Sequence, residues 1–292
     1  MERIPESELI LNEDGSIYHL HLKPGDIADK IILVGDPERV EEVSQHFDSV
    51  EIKKENREFK THTGYYKDFR LTVLATGIGT DNIDIVFNEL DALVNVDFNS
   101  RQVKSELTPL SFYRIGTSGA IQPDIAVDSF LISKMAIGFD NLLHFYKADH
   151  ILDKDFTQAL SRHLNWPSTQ SQPYVVACDS ELYLPFSQQG YKLGCTVTNV
   201  GFYGPQSRTI RLPLGDPDLN DKLREFQYRT HQITNLEMET AGIYGMAKLL
   251  GHKAISLNAI LANRATGEFS SRPKETVQQL IQETLAIITK PS

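Results

Sequence analysis

Much is scarce in this chain. Of its 292 residues only two are cysteines, Cys178 and Cys195, and they lie in different segments. That excludes a disulfide framework and offers no CxxC metal pair. His144 and His150 stand six apart, which is not a zinc spacing, and no GxSxG or Cys/His nucleophile motif occurs. No apolar run approaches the ~18 residues of a membrane span, and the opening MERIPESELILNEDGS has no basic region followed by an apolar core. Positive charge is also in deficit: 29 Lys and Arg stand against 39 Asp and Glu, a formal net charge of −10. A general nucleic-acid footprint is therefore excluded, and an anionic ligand would need a few arginines gathered in one pocket. Repeats, low-complexity tracts and Pro/Gly/Ser linkers are absent. The expectation is a cytoplasmic protein with no membrane partner and no metal, a single domain over residues 1–292.

What is present alternates. Short apolar runs predict strands at 31–34 (IILV), 71–76 (LTVLAT) and 129–133 (SFLIS), in PYVVA, in CTVTNV and in KAISLNAILA. Between them lie helical patterns in GDPERVEEVSQHF, IDIVFNELDALVNV, LNDKLREFQYRTH and ETAGIYGMAKLLG. In KETVQQLIQETLAIIT, Val277, Leu280, Ile281, Leu285 and Ile288 recur at helical spacing, with Pro273 at a first-turn position. Nearly all-apolar strands separated by amphipathic helices predict an α/β fold, a mixed central sheet flanked by helices on both faces. The polar stretch from Asn99 to Leu110 breaks the rhythm and reads as a surface excursion.

Ligands in such sheets sit at the carboxyl ends of strands. In VGDPER, Gly35 permits close backbone approach, Asp36 can cap a helix begun by Pro37, and Arg39 lies one turn in. A capped helix with a surface arginine explains the same residues. In RIGTSGAI, Arg114 ends a predicted strand, and a turn from Gly116 to Gly119 with Thr117 offers the donors of an anion nest, or merely a tight turn. TGIGTDN reads as a strand-to-helix turn capped by Asp81 or Asn82, because neither a full GxGxxG nor GxxxxGK[ST] follows. GFYGPQSR offers the ring of Phe202, the amide of Gln206 and the guanidinium of Arg208, a set able to read a planar heterocycle. His19, taken alone, is a histidine on an N-terminal strand. In NLEMETA, Glu237 and Glu239 flank Met238 just before an apolar helix. Two such residues on one helix point about 200° apart, so the pair cannot grip one ligand together if the helix has already begun.

In order along the chain, YHLHL, VGDPERV, NREF, TGIG, RIGTSGAIQP, FYGPQSR, NLEMETA and ANRATGE resemble the nucleoside phosphorylases, and within them the uridine phosphorylases. The resemblance spans about residues 17–288. It implies reversible phosphorolysis of uridine to uracil and α-ribose 1-phosphate, a pentosyl transfer with inorganic phosphate as co-substrate and no cofactor. It also implies that Gly35, Arg39, Arg114, Thr117 and a neighbouring subunit's Arg57 hold phosphate. Phe202, Gln206 and Arg208 hold the base. Met238, Glu239 (chiefly), Glu237 and the neighbour's His19 hold the ribose. Arg114, Arg208 and Glu239 carry the chemistry.

Purine-specific members typically carry an aspartate after the late strand; here ANRATGE has Asn263 and Arg264 instead. Some relatives hold a monovalent cation at the dimer interface near a loop serine and the glutamate matching Glu58. Asn82 occupies that serine position here, which argues against the cation. The long stretch from Asn99 to Leu110 would obstruct assembly into hexamers, so a homodimer is expected and a hexamer is the alternative. Competing functions are a pyrimidine phosphorylase of broader specificity, a purine phosphorylase or nucleosidase on the same fold, and a non-catalytic nucleoside-binding protein. A dinucleotide oxidoreductase is disfavoured by the incomplete glycine fingerprint.

Overall fold

A computed structural model describes residues 3–290. The first two and last two residues of the expected domain lie outside the described residues. Strand β1 (Lys30–Val34) leads into helix α1 (Pro37–Ser44). An antiparallel meander follows, β2 (Ser49–Asn56), β3 (Phe59–Tyr66) and β4 (Phe69–Ala75), then α2 (Thr80–Asn95). Two short strands, β5 (Val96–Asp97) and β6 (Gln102–Val103), pair with each other. The long β7 (Ser111–Ala120) and β8 (Phe130–Gly138) come next, then α3 (Lys154–His163), β9 (Tyr174–Ala177) and α4 (Ser180–Ser187). The last part runs β10 (Lys192–Thr198), α5 (Leu219–Glu225), β11 (Gln227–Tyr228), β12 (His231–Glu237), α6 (Thr240–Leu249), β13 (Lys253–Asn263), β14 (Glu268–Phe269) and α7 (Pro273–Ile288).

Among the described residues the main sheet runs β11-β12-β10-β8-β13-β7-β1-β4-β3-β2, with β9 on β8 and β14 on β13. It is mixed, as expected: β1 is parallel to β4 and β7, whereas β8 and β13 are antiparallel. The carboxyl end of β12 also pairs with β7, Asn235 opposite Ala120 and Leu236 opposite Gly119. Strands β7, β13, β8, β10 and β12 thus close on themselves as a distorted barrel. That closure brings two sequence-distant stretches, RIGTSGA and NLEMETA, side by side.

Helices lie on both faces. Val86, Phe87 and Leu90 of α2 pack with Ile243, Tyr244 and Met246 of α6 in one core. Val40 and Val43 of α1 pack with Val277, Leu280, Ile281 and Leu285 of α7 in another. Each fully buried side chain of this size contributes about 1.5–3 kcal/mol. Helix α6 is buried on all sides from Thr240 to Ala247, which is why its sequence is apolar without a polar face.

The structure revises four local expectations. LNDKLREFQYRTH is not one helix: α5 stops at Glu225, and Gln227–Tyr228 turn back antiparallel onto β12. Arg114 does not end its strand, and GTSGA is no turn. Strand β7 continues through it because β13 pairs with it from Ser111–Lys253 to Ala120–Asn263, and a central pairing overrides the low strand propensity of glycine. The N-cap of α2 is Gly79, so neither Asp81 nor Asn82 caps that helix. The polar stretch is exposed at 102–109, but Leu110 is fully buried. The β2–β3 hairpin, α3 and α4 were not anticipated. Strand β2 reads SVEIKKEN, an outer strand whose burial is only partial, so its apolar signal is weak.

Candidate active site

One cavity of about 750 Å³ opens at the carboxyl ends of the strands. Gly35, Arg39, Arg114, Thr117, Phe202, Gln206, Arg208, Glu237, Met238 and Glu239 all line it. His19 and Arg57 do not line this cavity; they sit together elsewhere on the chain. The backbone N–H and Nδ1 of His19 contact Glu89, the ring nitrogen at 2.6 Å from Oε1. Asn56 donates to the His19 carbonyl at 2.7 Å, and the exposed Arg57 guanidinium lies over the Tyr18 ring at 5.7 Å.

At the cavity's inner end, Asp36 caps α1 by accepting from the Glu38 N–H at 2.9 Å, with Pro37 in the first turn. This directs Arg39 inward, where its Nε is buried with no hydrogen-bond partner among the described residues. Burial first, and the nearby Arg114 charge in addition, lower the Arg39 pKa against the opposing pull of Glu42 and Asp36.

Arg114 is buried in the middle of β7, only 6% exposed. Its Nη2 donates to Glu239 Oε2 at 2.6 Å and lies 3.0 Å from Glu237 Oε2. Its Nη1 donates to Ser256 Oγ and Asn258 Oδ1, both at 3.3 Å. Burial works against the Arg114 charge, but Glu237 and Glu239 outweigh it and raise its pKa. The guanidinium folds back along its own strand over Gly116, where any Cβ would come within 2.0 Å of Nη1. Glycine is required at this position by that close approach.

Beneath Arg114 the barrel interior is polar. Ser133 Oγ and Thr196 Oγ1 share a bond of 2.5 Å, Thr196 donates to Asn235 Oδ1 at 2.8 Å, and Asn235 donates to Ser118 Oγ at 2.9 Å. Thr240 donates to Ser256 Oγ at 2.9 Å. A network satisfied in this way fixes the arginine's position. Ser256, Asn258, Thr198 and Thr240 escaped sequence reasoning. The one signal was polar residues recurring inside otherwise apolar strands, as in KAISLNAILA.

The two glutamates differ sharply. Glu237 ends β12, 4% exposed. Thr198 donates to its Oε1 at 2.6 Å, the Thr240 N–H lies 3.0–3.1 Å from both oxygens, and the Glu239 N–H donates to Oε2 at 2.9 Å. With Arg114 at 3.0 Å as well, this carboxylate is held chiefly by protein donors and caps α6, while it still lines the cavity. Glu239, 5% exposed, is the N-cap residue of α6 with its side chain turned away from that helix. It accepts from the Gly79 N–H at 3.0 Å, at the start of α2, and from Arg114. Burial above all raises its pKa, Arg114 opposes the shift, and Glu237 adds to it.

At the other end, the chain turns through Phe202 and a 3₁₀ segment, Gly204–Gln206, to Ser207 at φ 54°. Arg208 donates from Nη1 to Gln206 Oε1 at 2.6 Å and to the Phe202 carbonyl at 2.7 Å, and its guanidinium stacks on the Phe202 ring at 3.8 Å. The ring face expected to be free for a ligand is thus shared with Arg208. Arg264 donates to the carbonyls of Gln206 and Ser207. Burial first, then Arg264, lowers the Arg208 pKa. Asn263 is turned into the fold, donating to the Gln122 and Ile125 carbonyls at 2.8 Å.

The cavity therefore gathers neighbouring Arg39 and Arg114, Glu239 bonded to Arg114, Met238, and the bonded pair Gln206 and Arg208. Comparison with known proteins places the whole chain. The chain is 29% identical over 299 aligned residues to a uridine phosphorylase of Thermococcus kodakarensis, covering 99% of this chain and 93% of that one. It is 28% identical to a DeoD-type purine nucleoside phosphorylase of Oceanobacillus iheyensis, over 86% of this chain and 88% of that one. A solved Trypanosoma brucei nucleoside phosphorylase, described as showing uridine phosphorylase activity, superposes with a TM-score of 0.88 at 26% identity, over 97% of this chain and all of that one. The family model described as the phosphorylase superfamily matches residues 29–290, and the chain belongs to that superfamily.

Proposed function

We propose that this chain is a uridine phosphorylase, transferring the ribosyl group of uridine to inorganic phosphate. The observation that carries the reading is that one cavity gathers three sets of groups: Arg39 with Arg114, Glu239 with Met238, and Gln206 with Arg208. These sets suit the phosphate, the ribose and the base of the reacting complex in turn.

The unpartnered Nε of Arg39, with the Gly35 backbone and the Thr117 hydroxyl, supports a phosphate site at the inner end. Phosphate held there, beneath the anomeric carbon, replaces a bimolecular encounter with a positioned one. As the glycosidic bond breaks, the sugar gains oxocarbenium character. Glu239 accepts from the ribose hydroxyls and places negative charge near that cation. The electron pair leaves with uracil, and Arg208 and Gln206 stabilise the developing anion. Asn263, committed to backbone carbonyls, offers no acid for a purine N7, which favours a pyrimidine.

Charge also argues for a second copy. Within the chain Arg114 is already matched by Glu237 and Glu239 before a phosphate dianion enters, which leaves Arg39 to face it. A further cation is needed, and Arg57, exposed beside His19, can supply it to a neighbour. The working unit is a homodimer in which each protomer lends His19 and Arg57, and it acts in the cytoplasm.

Incubation with uridine and phosphate, followed by uracil absorbance, tests the reading. Phosphate-dependent release of uracil with formation of ribose 1-phosphate is expected. Release independent of phosphate would identify a hydrolase, and uridine binding without turnover would refute catalysis.

A further inference from the structure

A second cavity, of about 310 Å³, lies at the opposite, amino-terminal ends of β8, β10 and β12. It is built by two irregularities at one level of the sheet. Between β8 and β10 the register passes from Ser133–Gly194 to Met135–Cys195, so Lys134 is the extra residue. Between β10 and β12 it passes from Cys195–Ile233 to Asn235–Thr196, so Thr234 is the extra residue. Such bulges re-aim side chains, and both residues line this cavity. Gly194 sits between them, where a Cβ would come within 2.2 Å of Thr234 Oγ1, so its lack of a side chain makes room for the re-aimed Thr234.

The lining carries Lys134, Lys192 and His231 against one carboxylate, Asp124, in a chain of net charge −10. Lys192 contacts Asp124, donating to its carbonyl at 2.8 Å with the carboxylate at 3.7 Å. Lys134 is half-buried, and among the described residues its ammonium has no hydrogen bond or ion pair. His231 lines the same cavity, and its ring stacks on Phe156 at 5.9 Å. Burial, and next the Lys134 charge, hold its imidazole below the usual pKa, and an anion here would relieve that repulsion. An uncompensated, partly desolvated ammonium beside an imidazole and a second lysine is an arrangement that an anion completes.

We propose that this cavity binds a small oxyanion of the phosphate class, as free phosphate or as a phosphate monoester, with Lys134 as its principal ligand and His231 and Lys192 beside it. The inference does not depend on the proposed catalytic function, because the two cavities lie at opposite ends of the strands. The His231 Hε1 resonance, assigned through His231→Gln, reads this end alone. Inorganic phosphate and glycerol 2-phosphate are titrated separately against sodium chloride of matched ionic strength. A saturable shift with either anion, absent with chloride, is expected; a shift with both places the ester oxygen at the cavity mouth, and with inorganic phosphate only, a closed site. In Lys134→Met the midpoint should rise at least about tenfold, the value of one charged hydrogen bond. In Lys192→Gln, at the more exposed position, it should rise less. No shift with either anion, or an unchanged midpoint in Lys134→Met with a normal melt, overturns the proposal. If Lys134→Met does not melt cooperatively, Lys134→Gln replaces it and the same criterion applies.

Discussion

Glu237 and Glu239 are two residues apart, equally buried, and both within reach of Arg114, yet their hydrogen bonds assign them opposite duties. The isosteric pair Glu237→Gln and Glu239→Gln should separate them. Glu237 accepts from the Thr198 hydroxyl and from the N–H groups of Glu239 and Thr240. A glutamine turns an NH₂ toward these donors and removes the charge, costing about 1.5–3 kcal/mol of stability. At this chain length that lowers Tm by roughly 2–5 °C. With α6 still folded, kcat should fall less than about tenfold.

Glu239→Gln should behave in reverse. Its ordinary pKa of 4.5 is raised in the fold, chiefly by burial. Above pH 4.5 the folded state therefore binds more protons than the unfolded one, and stability falls as pH rises toward the folded pKa. The neutral amide escapes this penalty, so the variant should melt at or above the wild-type temperature at pH 7. Its kcat/KM for uridine should drop roughly tenfold to hundredfold for each ribose hydrogen bond lost. Scanning calorimetry at pH 5 and 7, with uracil release at saturating phosphate, measures both quantities. A Glu237→Gln protein with wild-type Tm and lost activity, or a destabilised but fully active Glu239→Gln protein, would refute this division.

Three further outcomes follow from the same geometry. Gly116→Ala places a methyl against Arg114 Nη1 and should lower kcat/KM at least about tenfold by moving the guanidinium off both carboxylates; unchanged kinetics would show that Arg114 need not hold this position. Arg208→Ala should raise the uridine KM and lower kcat roughly a hundredfold or more while leaving the phosphate KM nearly constant, because Arg208 is engaged with Gln206 and Phe202 whereas Arg39 neighbours Arg114; an equal loss of phosphate affinity in initial-rate kinetics would contradict the assignment. Mixing inactive Arg57→Ala and Arg208→Ala homodimers under exchange should restore roughly a quarter of wild-type activity, since a mixed dimer holds one intact site; no recovery, with exchange verified by mass, would refute site sharing.

The sequence alone determined the alternation of apolar strands with amphipathic helices, and so the mixed α/β architecture. It also supplied the site vocabulary, because glycine, arginine and glutamate at strand ends carry chemistry that does not depend on knowing the contacts. It misread RIGTSGA as a turn because local propensity cannot anticipate a strand paired along its whole length by β13. It could not tell the surroundings of Glu237 from those of Glu239, because spacing tells which way a side chain leaves the backbone but not which donors await it. Only the barrel closure of β12 onto β7 decided that. It brings Arg114 against both carboxylates, of which Glu237 also caps α6 and Glu239 reaches across to the Gly79 N–H. Burial and pairing are properties of that closure, and they arise from contacts between residues more than a hundred positions apart.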